Sequence, residues 1–109
     1  MSEKYIMALT TTSSEEGAQE ISERLVKQGL AACAQVYGPI RSTYLWEGKI
    51  NKDEEWMCFM KTKEDVYDSL ESKIKEIHSY ETPEIIAIPI LAGNEDYLDW
   101  IDENINMRS

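Results

Sequence analysis

His78 is the only histidine of the chain, and it stands in the run His78-Ser79-Tyr80-Glu81-Thr82-Pro83-Glu84. An imidazole, a phenol and two carboxylates within seven residues are the densest group of ligand-type side chains in the sequence. Such groups bind metal ions or move protons. A firm transition-metal site needs about three or four donors, with thiolate or imidazole preferred for copper and zinc. Cys33 and Cys58 are the only thiols, and neither has ligand spacing to His78 or to the other. His78 is therefore the one candidate metal residue, and completing a site around it takes Glu84 with a carboxylate from another copy, or copies of His78 meeting near an axis. The structural alternative is a histidine closing a helix C-terminus, where an imidazolium meets the exposed carbonyls.

Lys61, Tyr80, Glu81 and Glu84 are the candidate polar pocket. Lys61 ends one strand-like run and the two glutamates precede another, so the four meet across a cleft between subunits in the expected sheet. Tyr44, Trp46, Trp56 and Trp100 are the candidate subunit contacts, because large aromatics near a hairpin tip and on a terminal helix more often seal interfaces than stack ligands. Cys33 and Cys58 are expected to be buried, reduced thiols. No nucleophile motif and no glycine-rich phosphate loop is present, so catalysis is not expected and no cofactor is required.

The elements that must position these residues follow from periodicity. Tyr5-Ile6-Met7-Ala8-Leu9 is apolar on both parities, as in a strand covered on both faces. Ser13 and Glu16 form a capping-box pattern ahead of a helix over residues 14–28, which Gly29 stops. Leu30 to Tyr37 reads as a second strand, interrupted by a bulge at Gly38-Pro39 and resumed through Ile40, Ser42, Tyr44 and Trp46 on one parity. Asn51-Lys52-Asp53 is the expected hairpin tip before the strand Trp56 to Met60. Thr62 is expected to cap a helix carrying Val66, Leu70, Ile74 and Ile77 and ending near His78, since Pro83 keeps Thr82 out of helical geometry. A fourth strand over residues 85–91 with Pro89 at an edge, and a short helix capped by Asn94, complete the chain.

That order predicts an α+β fold: a ferredoxin-like βαββαβ sandwich with an additional short C-terminal helix, in one domain over residues 1–109. Both long helices then lie on one sheet face. The other face is left bare while Trp56, Cys58 and Met60 alternate with the equally apolar Met57 and Phe59, which predicts an oligomer whose copies cover it. The net charge of -10, from 21 acidic and 11 basic side chains, excludes nucleic acid as a natural partner. No apolar stretch approaches the roughly 20 residues of a membrane span, and the first residues lack a signal peptide's pattern, so the cytoplasm is expected.

Several stretches together resemble the CutA family of divalent-cation-tolerance proteins. They are Ala31-Ala32-Cys33, Tyr44-Leu45-Trp46-Glu47-Gly48-Lys49, Lys61-Thr62, the His78 to Glu84 run and Tyr97-Leu98-Asp99-Trp100. The resemblance implies a homotrimer of ferredoxin-like subunits linked to tolerance of divalent cations, copper above all. In members with proposed copper ligands a cysteine ends the first strand and adjacent histidines occupy the corner; those positions here are Thr10, Ile77 and His78. Two other functions fit the same architecture: an effector-binding or signalling module like the nitrogen-regulatory PII-type trimers, taking an anionic or zwitterionic molecule near Lys61 and Glu84, and a trimeric scaffold that anchors a partner protein.

Overall fold

The structure, a computed structural model, describes residues 5–105. The first strand, β1 (Tyr5–Thr12), is followed by helix α1 (Glu15–Lys27). Its cap is Ser14 rather than Ser13: the Ser14 hydroxyl accepts from the Gly17 N–H at 3.0 Å. Glu15 and Glu16 in the first turn and Arg24 and Lys27 in the last complement the helix dipole. Gly29, at φ 71°, takes the left-handed geometry that ends the helix.

Strands β2 (Cys33–Trp46) and β3 (Lys49–Lys63) form one long antiparallel ribbon. Its turn is Glu47-Gly48 rather than the expected Asn51-Lys52-Asp53. Both turn residues have positive φ, 52° and 77°, the primed two-residue geometry whose twist matches a hairpin. Gly48 adopts it without strain, so pairing begins at once with Trp46 opposite Lys49. The bulge falls where expected: Tyr37 pairs with Met57 but Ile40 pairs with Glu55, leaving one extra residue on β2. A Cβ on Gly38 would lie 2.5 Å from Trp56 Cδ1, so the bulge needs glycine because the indole ring presses on it.

Thr62 does not cap a helix. It continues β3 and its hydroxyl donates to the Leu30 carbonyl at 2.7 Å. A 3-10 turn over Glu64–Val66 leads into α2 (Tyr67–Ile77), which buries Leu70 and Ile74. Strand β4 (Ile85–Pro89) ends two residues earlier than expected, at the proline that has no N–H for the ladder. Asn94 caps α3 (Glu95–Glu103) as expected, its side chain accepting from the Tyr97 N–H at 3.0 Å.

The strands line up as β2-β3-β1-β4 with every pair antiparallel. Register puts Ala8, Cys58, Met60 and Ala34 on one face, where they join Ile21, Leu25, Leu70 and Ile74 of α1 and α2 in the main core. Each such fully buried aliphatic side chain contributes about 1.5–3 kcal/mol. Opposite parity sends Met7, Leu9, Met57, Phe59, Ile86 and Ile88 to the other face. That face is not bare along its whole length. Lys63, on the same parity, reaches Asp102 of α3, and Ile101 and Ile105 cluster with Ala32 and Val66, so α3 closes one end. Ile86 and Ile88 stay exposed, and Met57 and Phe59 half-buried.

Candidate functional site

The site lies where the ribbon outruns the rest of the sheet. Pairing of β1 with β3 stops at Thr12 and Trp56, so β3 from Lys49 to Glu55 pairs with β2 alone. The bulge shifts β2 by one residue. Ile40, Ser42, Tyr44 and Trp46 thereby share the open face with Glu55 and Asp53 of β3. The segment between α2 and β4 closes the other side, bringing Tyr80, Glu81 and Glu84 against this end of the ribbon.

His78 fixes that segment. Its Nδ1 accepts from the Tyr80 N–H at 3.0 Å, so the ring proton sits on Nε2, which is donated to the Thr11 carbonyl at 2.7 Å. Thr11 lies one residue past the last β4 partner, Thr10, and the imidazole supplies the hydrogen bond that β4 no longer can. The two rings pack tilted at 4.8 Å. Tyr80 is thus held so that its hydroxyl donates to Glu55 Oε2 at 2.7 Å. Burial, then this hydrogen bond and the Glu55 charge, hold the Tyr80 phenol well above the ordinary tyrosine range. Tyr44 donates to Asp53, and that bond first, then lost hydration, then the charges of Asp53 and Glu55 also raise its phenol.

These groups enclose a cavity of about 580 Å3. Within this one chain Tyr80, Glu81 and Glu84, expected in a cleft between subunits, line it together with Tyr44 and Trp46, expected as subunit contacts. Lys61 does not. Within one chain it pairs with Met7 and Cys33 further down the open face and donates to Gln35. Trp56 packs against the main core on the helix-covered face, and Trp100 stacks on Tyr97 of α3 with ring centroids 5.6 Å apart. Asp53, Glu55 and Thr11 were not singled out from the sequence. The signal for the first two was present, since the bulge at Gly38-Pro39 sets which β2 residues face them. Thr11 comes into the site only through the fold.

The cavity carries carboxylates of Asp53, Glu55, Glu81 and Glu84, and among the described residues no lysine or arginine lines it. Among the described residues no three His, Cys, Asp or Glu side chains converge as a metal site. The three positions that correspond to proposed copper ligands are spread out. Thr10 lies on the helix-covered face, its hydroxyl buried without a partner among the described residues, and Ile77 packs on the main core. Only His78 touches the cavity wall, with both ring nitrogens in hydrogen bonds. A tight coordination centre does not fit this donor set. Cys58 is buried beside Ser22 at 3.1 Å, and burial raises its thiol, whereas Cys33 is half-buried rather than enclosed.

Residues 6–104 match the family described as CutA1 divalent ion tolerance protein. The divalent-cation tolerance protein CutA of Thermus thermophilus is 40% identical over 98 residues, 90% of this chain and 95% of that protein. The CutA of Pyrococcus horikoshii is 42% identical, over 90% of this chain and 95% of that protein. Among solved structures, Cut A1 from Thermus thermophilus superposes with a TM-score of 0.92 at 38% identity, covering 94% of this chain and 99% of that one. CutA1 from Oryza sativa gives 0.93 at 34% identity, over 97% and 96%. Family model, sequence identity and backbone agree, and the chain belongs to the CutA family of divalent-cation tolerance proteins.

Proposed function

We propose that the protein is a homotrimer of ferredoxin-like subunits that takes part in the handling of divalent metal ions, copper included, in the cytoplasm, and that it works without catalysis and engages the ions weakly. The observation that carries the reading is the cavity with four carboxylates and, among the described residues, no basic side chain. In a chain of net charge -10 it concentrates cations without the converging donors that hold one tightly. Its donors are oxygens, which suit calcium, magnesium or manganese better than copper. His78 braces the cavity wall, and it becomes a ligand only by giving up one of its two hydrogen bonds.

The trimer is supported by the open face and by two sheet edges, since among the described residues β2 and β4 each pair on one side only. Leu91, 98% exposed beside β4, and Tyr37, 65% exposed on β2, are apolar side chains that a second copy would cover. Light scattering at micromolar concentration tests this part, and a monomer removes it. Calorimetric titration with copper, zinc and calcium chloride tests the ion reading. Saturable weak binding is expected, reduced more by a Glu81→Gln, Glu84→Gln double variant than by His78→Ala. Identical heats in wild type and both variants remove the cavity from the reading. The size of the cavity favours one further reading, an effector-binding module, since it lies within the roughly 300–1,000 Å3 of small-molecule sites.

A further inference from the structure

We draw no further inference here: the strongest candidate, the largely apolar groove beside β4 between the start of α2 and Leu98 of α3, lined by Tyr67, Pro89, Leu91 and Leu98 among others, lies along a sheet edge, and nothing in the structure shows what covers it.

Discussion

Cys58, Phe59 and Met60 are consecutive on β3, and the first and last are fully buried under α1 and α2 while the residue between them is only half-buried on the open face. The two faces draw on the same strands and are both apolar near the centre of the sheet. They differ in what meets them. On one, two amphipathic helices supply matching side chains from the same chain. On the other, α3 closes one end, the cavity and its polar wall occupy the opposite end, and Ile86 and Ile88 between them face solvent. An apolar strand residue therefore contributes to stability according to its cover rather than its hydrophobicity.

A pair of truncations measures that difference. Leu70 is fully buried in the main core, and Leu70→Ala should cost about 3–4 kcal/mol in denaturant unfolding. Ile88, 44% exposed, should cost about 1 kcal/mol as Ile88→Ala if one chain is the unit that unfolds. If copies of the chain cover the open face, the loss at Ile88 approaches that at Leu70, and the midpoint of unfolding rises with protein concentration. An Ile88 cost that is small and independent of concentration breaks the proposed trimer on this face.

Periodicity exposed this contrast before any coordinates, because parity along β3 and the four-four-three spacing from Val66 to Ile77 are properties of the residues themselves. The bulge was legible for the same reason: Gly38-Pro39 interrupts a run whose aromatic and β-branched pattern resumes beyond it. Local signals misled where two chemistries compete. Asn51-Lys52-Asp53 has turn-forming residues, but Glu47-Gly48 offers a glycine at a position of positive φ, and geometry decides a two-residue hairpin. Thr62 is a good cap in isolation, yet the Leu30 carbonyl across the fold claims its hydroxyl. Tyr80, Glu81 and Glu84 were legible as a cluster because they are close in sequence. Their pairing with Glu55 and Asp53 was not, since it spans 25 residues in the Tyr80–Glu55 bond and depends on which way the bulge turns β2.

The polar end of the open face is tested next by pH. Tyr80→Phe removes the hydrogen bond to Glu55 and should cost about 1.5 kcal/mol near neutrality, the low end for a charged acceptor because water reaches the pair. The folded phenol titrates above its unfolded value, so its contribution is fully present below about pH 10. Above that pH the unfolded chain ionises and the contribution fades as pH rises toward the raised folded value. Wild type should therefore lose stability more steeply than the Phe variant in alkali, and the two curves should converge. A constant gap between them from neutral pH upward would show that the ring's packing, and not the Tyr80–Glu55 bond, stabilises this end.

The smallest effect concerns a polar group on the helix-covered face. Thr10 and Thr62 are both fully buried there, both on the helix side of the sheet by register. Their hydroxyls have opposite fates: Thr62 donates to Leu30, while Thr10 has no partner among the described residues. Replacing each by valine keeps the branched shape and the strand preference and removes only the hydroxyl. Thr10→Val should raise stability by about 1 kcal/mol, because an unsatisfied buried hydroxyl is exchanged for a methyl group. Thr62→Val should lower it by about the same amount, because the Leu30 carbonyl loses its donor. Both changes are read as shifts in the urea midpoint at constant slope. Equal signs for the two substitutions would mean that Thr10 finds a partner in solution, and the helix-covered face would then hold a hydrogen bond where the fold places an orphan.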